Sequence, residues 1–134
     1  MTTFKINYGF ERVYANNGQH QEQAVRFTLT GEIVKADNLP HDLGADVLNY
    51  QVKSARATVC KGTDIEAYLD RDASTAYIYA TEEGIAYIMS REEYTEFVKT
   101  FGTVTRDSSR NGGGEKIRLK HESETMRGWL KERA

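Results

Sequence analysis

The sequence predicts a single mixed α/β domain, with helices packed on a mixed sheet and a hairpin and helix at the C-terminal end. Segments with helical spacing alternate with short β-type runs, the order expected of layered α/β architecture. A length of 134 residues suits one hydrophobic core. No internal repeat or linker divides the chain, so residues 1–134 are expected to form one domain. The one low-complexity stretch, DSSRNGGG at 107–114, reads as a hairpin tip or loop.

The elements follow from local chemistry. Residues 18–29 read as a first helix, with Val25 and Leu29 on one face and Gly31 just past its end. Residues 32–36 read as a short strand, and 37–45 as a loop holding Pro40 and Gly44. The run 47–60 is β-rich and long enough that a bend or bulge is expected inside it. Its alternation sets Tyr50 and Val52 on one face and Gln51 and Lys53 on the other. A helix is expected over 63–69, capped by Thr63 with Glu66 three residues on, and buried through Ile65, Tyr68 and Leu69. Strands at 76–80 and 85–89 flank the turn TEEG. Ser90 then caps a helix REEYTEFVKTF, with Glu93 at the capping-box position and Tyr94, Phe97, Val98 and Phe101 at helical spacing. Residues 104–106 and 116–120 are expected to pair as a second hairpin, in which Ile117 and Leu119 alternate with Lys116, Arg118 and Lys120. Met126, Trp129 and Leu130 mark a last helix.

Composition narrows the function classes. The chain is 39% hydrophobic and 28% charged, as in ordinary globular domains. No apolar run approaches the length of a membrane helix and the N-terminal segment lacks a signal-peptide core, so a cytoplasmic protein away from membranes is expected. Cys60 is the one cysteine, which excludes an internal disulfide and reads as a buried, inert thiol. His20, His41 and His121 are scattered and do not suggest a zinc site. The net charge of −2 hides an uneven distribution. Residues 63–96 carry nine acids and two bases, whereas 105–121 carry five bases (Arg106, Arg110, Lys116, Arg118, Lys120) and two acids. Lys53, Arg56 and Lys61 form a second basic group. Patches of this kind on a near-neutral protein suit an anionic partner such as DNA.

The run DLGADVLNYQVK at 42–53 concentrates the chemistry. Asp42 and Asp46 lie in a loop leading into a strand that presents Gln51 and Lys53 on one face, and a helix bearing Glu22 precedes the unit. Oxygen ligands beside a lysine are what a hard divalent cation and an attacking water require.

With Asp46 (or Asp42) before Gln51-Val52-Lys53 and Glu22 on the helix upstream, the chain resembles the PD-(D/E)xK nuclease superfamily in its Q-x-K form. The resemblance spans residues 18–80 and implies a restriction-endonuclease-like core of helix, three strands, helix and strand. It implies Mg²⁺ or Mn²⁺ held by Asp46 or Asp42 with Gln51, and Glu22, Asp46, Gln51 and Lys53 as catalytic residues. Lys53 would orient or deprotonate the water that attacks a phosphodiester. Arg56, expected further along the same strand face, and Lys61, Arg106, Arg110, Lys116, Arg118 and Lys120 would hold DNA. A homodimer is implied for cutting both strands of a duplex. Two departures stand out: a neutral glutamine replaces an acid, and only four residues separate Asp46 from Gln51. The alternative is a non-catalytic nucleic-acid-binding protein, or a phage or mobile-element accessory protein, on the same fold.

Overall fold

A computed structural model describes residues 1–10, 17–31, 50–72, 74–106 and 114–134. The architecture is mixed α/β, as the sequence predicts. The element order is β1 (Thr2–Lys5), α1 (Asn17–Thr30), β2 (Tyr50–Lys53), β3 (Thr58–Lys61), α2 (Ile65–Asp72), β4 (Ala76–Ala80), β5 (Ile85–Met89), α3 (Arg91–Phe101), β6 (Gly102–Arg106), β7 (Glu115–Leu119) and α4 (Glu124–Arg133). The strand expected at 32–36 and the loop at 37–45 lie outside the described residues. No helix among those described is long and apolar enough to cross a membrane.

The strands form two sheets rather than one. A mixed sheet runs β1-β5-β4-β2, and an antiparallel sheet runs β3-β7-β6. In the first, β2 lies parallel to β4 at the edge, joined by a crossover through β3 and α2. The expected break in the run 47–60 falls at 54–57, where Ala57 N–H donates to the Ser54 carbonyl and Arg56 takes φ 62°. That turn sends β3 into the second sheet. Positive φ is strained for a side chain as large as arginine, so the turn is held from outside. Leu119 N–H donates to the Ala57 carbonyl and Arg118 Nε donates to the Arg56 carbonyl.

Alternation along the first sheet divides the apolar residues between two cores. One face carries Tyr50, Val52, Ile78, Ala80 and Ala86 against Ala24 and Val25 of α1. The other carries Tyr77, Tyr79, Tyr87 and Met89 against Ile65 and Leu69 of α2, Tyr94 and Phe97 of α3, and Met126 and Leu130 of α4. Ile117, Leu119 and Val59 extend this second core beneath the second sheet.

The capping chemistry explains the helix starts. Ser90 Oγ accepts from Glu93 N–H while the Glu93 carboxylate accepts from Ser90 N–H, the reciprocal box read from the sequence. For α2 the expected cap is corrected. Asp64, not Thr63, supplies the acceptor, with Ala67 N–H donating to its Oδ1 at 3.1 Å. An aspartate is as good a cap as threonine or better, and the helix accordingly starts one residue later than a Thr63 cap would set it.

Gly102 joins α3 to β6 without an intervening loop, and its N–H donates to the Val98 carbonyl. A Cβ there would sit 2.4 Å from Val98 O and 2.6 Å from Ile117 Cγ2. The obstruction on one side is backbone, which cannot swing away. Gly102→Ala is therefore expected to cost about 1–3 kcal/mol by overpacking. Thermal unfolding followed by circular dichroism should show a fall of roughly 3–5 °C per kcal/mol. An unchanged midpoint would contradict the close packing of α3 on β7.

Candidate functional site

Gln51 and Lys53 share one face of β2, as alternation predicts, and are half-buried there while Tyr50 and Val52 are buried on the other. Parallel pairing sets Gln51 beside Tyr77 and Lys53 beside Tyr79. Both therefore face the side of the sheet covered by α2 and α3. Helix α1, which bears Glu22, packs on the opposite face with Tyr50 and Val52. The sheet thus separates the helix of Glu22 from the face of Gln51 and Lys53. Asp42, Asp46, His41 and Arg110 lie outside the described residues.

The expectation for Arg56 is corrected. It does not continue the strand of Lys53 but sits at the positive-φ position of the turn after β2. It is also an odd number of residues from Lys53, which in a regular strand would have put it on the other face.

The residues that do meet Gln51 and Lys53 come from α2, β4 and α3. The two side chains line a small cavity of about 10 Å³ with Tyr68, Asp72, Tyr77 and Tyr94, closed by Val59 and Leu69. That is room for one water-sized group. Tyr77 and Tyr94 stack with ring centroids 4.3 Å apart and an interplanar angle of 5°. The Tyr94 hydroxyl is buried without a hydrogen-bond partner, while the buried Tyr77 hydroxyl lies against the Asp72 carboxylate. Burial first, and then the negative charge of Asp72, push the Tyr77 hydroxyl up to about 12. Full burial raises Tyr94 well above the ordinary tyrosine range. Both are neutral hydroxyls near pH 7 and can donate a proton to an acceptor.

Tyr68 and Asp72 also line a larger neighbouring cavity of about 280 Å³, together with Lys61 and Arg71. Asp72 is the residue that the sequence reading missed. Its signal was present: it stands in the last turn of α2, where the helix dipole disfavours an acid. A local rule broken at a half-buried position often marks a functional group.

The donor set around Lys53 does not fit a divalent cation as described. Mg²⁺ takes carboxylates and waters in a strict octahedron. Here Asp72 is the single carboxylate lining the cavity, Gln51 is neutral and the Lys53 ammonium competes for the same acid. No group of three or more His, Cys, Asp or Glu among the described residues is arranged to hold a metal.

A second candidate surface lies on the three-stranded sheet. Register pairs Thr58 and Thr103 with Arg118, and Lys61 and Thr105 with Lys116, so these side chains share the outer face. Ile117 and Leu119 point inward, as the alternation predicts. Lys61, Arg118 and Lys120 are exposed, and Lys116 is half-buried. No acidic side chain occupies these paired outer-face positions. The Arg118 guanidinium holds the Arg56 backbone at 3.1 Å, bringing exposed Arg56 to the end of the same face. Arg106 stands apart, opposite Glu115 and ion-paired with it at 3.4 Å.

Cys60 is buried beneath this sheet, and burial, then the nearby charge of Asp64, raises its thiol. It is the unreactive form expected from its apolar setting. No family model, curated protein or solved structure shows significant similarity to the chain.

Proposed function

We propose that the chain is a non-catalytic nucleic-acid-binding protein of the cytoplasm that contacts DNA through the outer face of its second sheet. The observation that carries this reading is the set Lys61, Lys116 and Arg118, followed by exposed Lys120, interleaved with Thr58 and Thr103 and joined to Arg56. Cations spaced along neighbouring strands can follow a phosphate backbone, and the exposed Thr58 and Thr103 can add hydroxyl hydrogen bonds to phosphate oxygens. Nothing in such a face reads base edges, so the binding is expected to be salt-sensitive and weakly sequence-dependent.

The metal-dependent nuclease, with Mg²⁺ or Mn²⁺ and a homodimer, is the second reading. One observation favours it: Gln51 and Lys53 do share a face and line one cavity with an acid, Asp72. Its other acids, Asp42 and Asp46, lie outside the described residues.

One experiment separates the two. Wild-type protein and Lys53→Ala are incubated with plasmid and with labelled duplex and single-stranded oligonucleotides, in Mg²⁺ or Mn²⁺. Binding by both proteins without cleavage is the expected result. Cleavage by the wild type that disappears in Lys53→Ala would replace the first reading with the second. Absence of binding at 50 mM salt or below would sink both.

A further inference from the structure

Among the described strands, none pairs with β6 on the side away from β7. Thr103, Val104 and Arg106 are exposed along this edge. Val104 pairs with Ile117 and points to the inner face of the sheet, yet it is 55% exposed, because the core stops short of it. The direction of the backbone groups follows from three bonds. Gly62 N–H donates to the Glu115 carbonyl and Leu119 N–H to the Ala57 carbonyl, so the odd-numbered residues of β7 face β3. Lys120 N–H donates to the Phe101 carbonyl, so the even-numbered ones face β6. Thr103 and Thr105 therefore spend their backbone groups on their register partners Arg118 and Lys116. By alternation, the N–H and C=O of Val104 and Arg106 are turned to the open edge.

Folds usually blunt such an edge with a lysine, a proline or a bulge. The β3 edge of the same sheet has both a bulge, between Thr58 and Cys60, and Lys61. The β1 edge of the first sheet ends in exposed Lys5. Strand β6 has none of these devices. Its centre is Thr-Val-Thr, three β-branched residues, and its one charge, Arg106, is neutralised by Glu115 at 3.4 Å.

We propose that a second copy of this chain docks on the β6 edge, antiparallel and centred on Val104, so that two three-stranded sheets join into one.

Self-pairing is what this edge fits, because its sequence is complementary to itself. Thr-Val-Thr reads the same in both directions. Val104 falls opposite Val104 of the partner subunit, and the two exchange both of their N–H···O=C bonds. Each valine then covers the other, on the inner face where neither is covered now. Thr103 falls opposite Thr105 of the partner subunit, a β-branched cross-strand pair. Arg106 falls opposite Gly102 of the partner subunit, so no cation faces a cation. The two-fold axis stands perpendicular to the sheet and uses up the open edge of each copy, which closes the assembly at two. One consequence rests on the DNA reading above. The axis leaves both basic outer faces on the same side, with the two β7 strands roughly 14 Å apart at about 4.8 Å per strand. The dimer then offers DNA one continuous surface.

Light scattering on eluted protein, without DNA, tests the pairing. So short a strand pair buries little surface, so the dimer is expected at roughly 100 µM and above, with monomer on dilution. Val104→Lys, at an exposed position, should lower the dimer affinity tenfold or more, whereas Val104→Ile and Thr3→Lys, the latter on the β1 edge, should keep it. Amide hydrogen exchange gives a second readout that needs no variant. Protection of the Val104 amide should rise with protein concentration, while the Thr103 and Thr105 amides, bonded to β7, stay protected throughout. A monomeric mass up to roughly 1 mM would overturn the proposal. So would a dimer indifferent to Val104→Lys, or Val104 protection independent of concentration. The DNA arm is separate. Val104→Lys adds a cation, so a fall of about tenfold in DNA affinity reports loss of the joined face rather than loss of charge. A wild-type dimer without DNA affinity would support the edge pairing and remove the DNA reading.

Discussion

Replacing Lys61, Arg118 and Lys120 together by alanine is expected to lower DNA affinity by on the order of 100-fold at low salt, taking roughly 1 kcal/mol for each cation withdrawn from a phosphate. The diagnostic quantity is the salt dependence. Each phosphate neutralised by a protein cation releases condensed counterions, giving a slope of log K against log salt of about −0.9 per neutralised phosphate on duplex DNA. Withdrawing three cations should make the slope shallower by about 3. The three side chains are exposed and none lies in the core, so unfolding will not imitate the effect. Arg118 needs one control, because it also holds the Arg56 carbonyl. Arg118→Lys keeps the charge and loses the fork, so it should retain most of the slope even if the turn at 54–57 loosens. A second triple variant, Lys5→Ala with Lys99→Ala and Lys131→Ala, removes the same net charge from exposed positions elsewhere. Fluorescence anisotropy over 50–300 mM salt should show a slope change below 1 for that variant. Equal losses in the two triple variants would mean that net charge, not the outer sheet face, governs binding.

Much of the architecture was legible because local signals agreed with tertiary demands. Helix α3 has a capping box, a four-residue apolar stripe and strong helix formers, and all three point the same way. The hairpin of β6 and β7 announced itself by alternating Ile117 and Leu119 with basic residues. What escaped the sequence were relations between distant segments. Strand β1 carries little β-type patterning, and its place at the sheet edge comes from pairing with β5 across more than eighty residues of chain. The run 47–60 suggested a bend, yet nothing local says that its two halves enter different sheets. That outcome depends on β7, whose Leu119 and Arg118 bind the turn between them.

The candidate site was legible to the same extent. Period-2 alternation alone put Gln51 and Lys53 on one face, because that follows from strand geometry. It could not say which face α1 would cover, and α1 covers the other one. Sequence proximity drew attention to Asp42 and Asp46, whereas the acid brought beside Lys53 among the described residues comes from nineteen positions downstream. A parallel crossover explains this. The chain leaves β2, passes through β3 and α2, and returns alongside β2 as β4, so the end of α2 lies over the face of its neighbour. An acid on that last turn is invisible to a motif written along one strand.

The second large effect concerns stability. Glu122→Ala is expected to cost about 3 kcal/mol, because it breaks a buried, multiply bonded carboxylate at the entry to α4. The Glu122 side chain is fully buried. Its carboxylate accepts from the Tyr79 hydroxyl at 3.0 Å and from Glu82 N–H at 3.2 Å, and it pairs with Arg127 at 3.5 Å. It thereby ties α4 to β4 and to the β4–β5 turn, which are forty residues or more away in sequence. Truncation leaves the Tyr79 hydroxyl, in a residue with no exposed surface, without its acceptor. Arg127 suffers less, since Glu83 holds its Nε at 3.4 Å. This is why the expected cost stays at the low end of the range for broken buried pairs. Tyr79→Phe alone should cost about 1–2 kcal/mol, since an aromatic ring of the same shape keeps its packing against Phe97. If the hydroxyl and carboxylate act as a pair, the double variant should cost less than the two single costs added together. The shortfall should be about 1 kcal/mol or more. Urea unfolding of the four proteins measures all of these quantities at once. Strict additivity would show that Glu122 stabilises the start of α4 by itself and that its bond to Tyr79 contributes nothing.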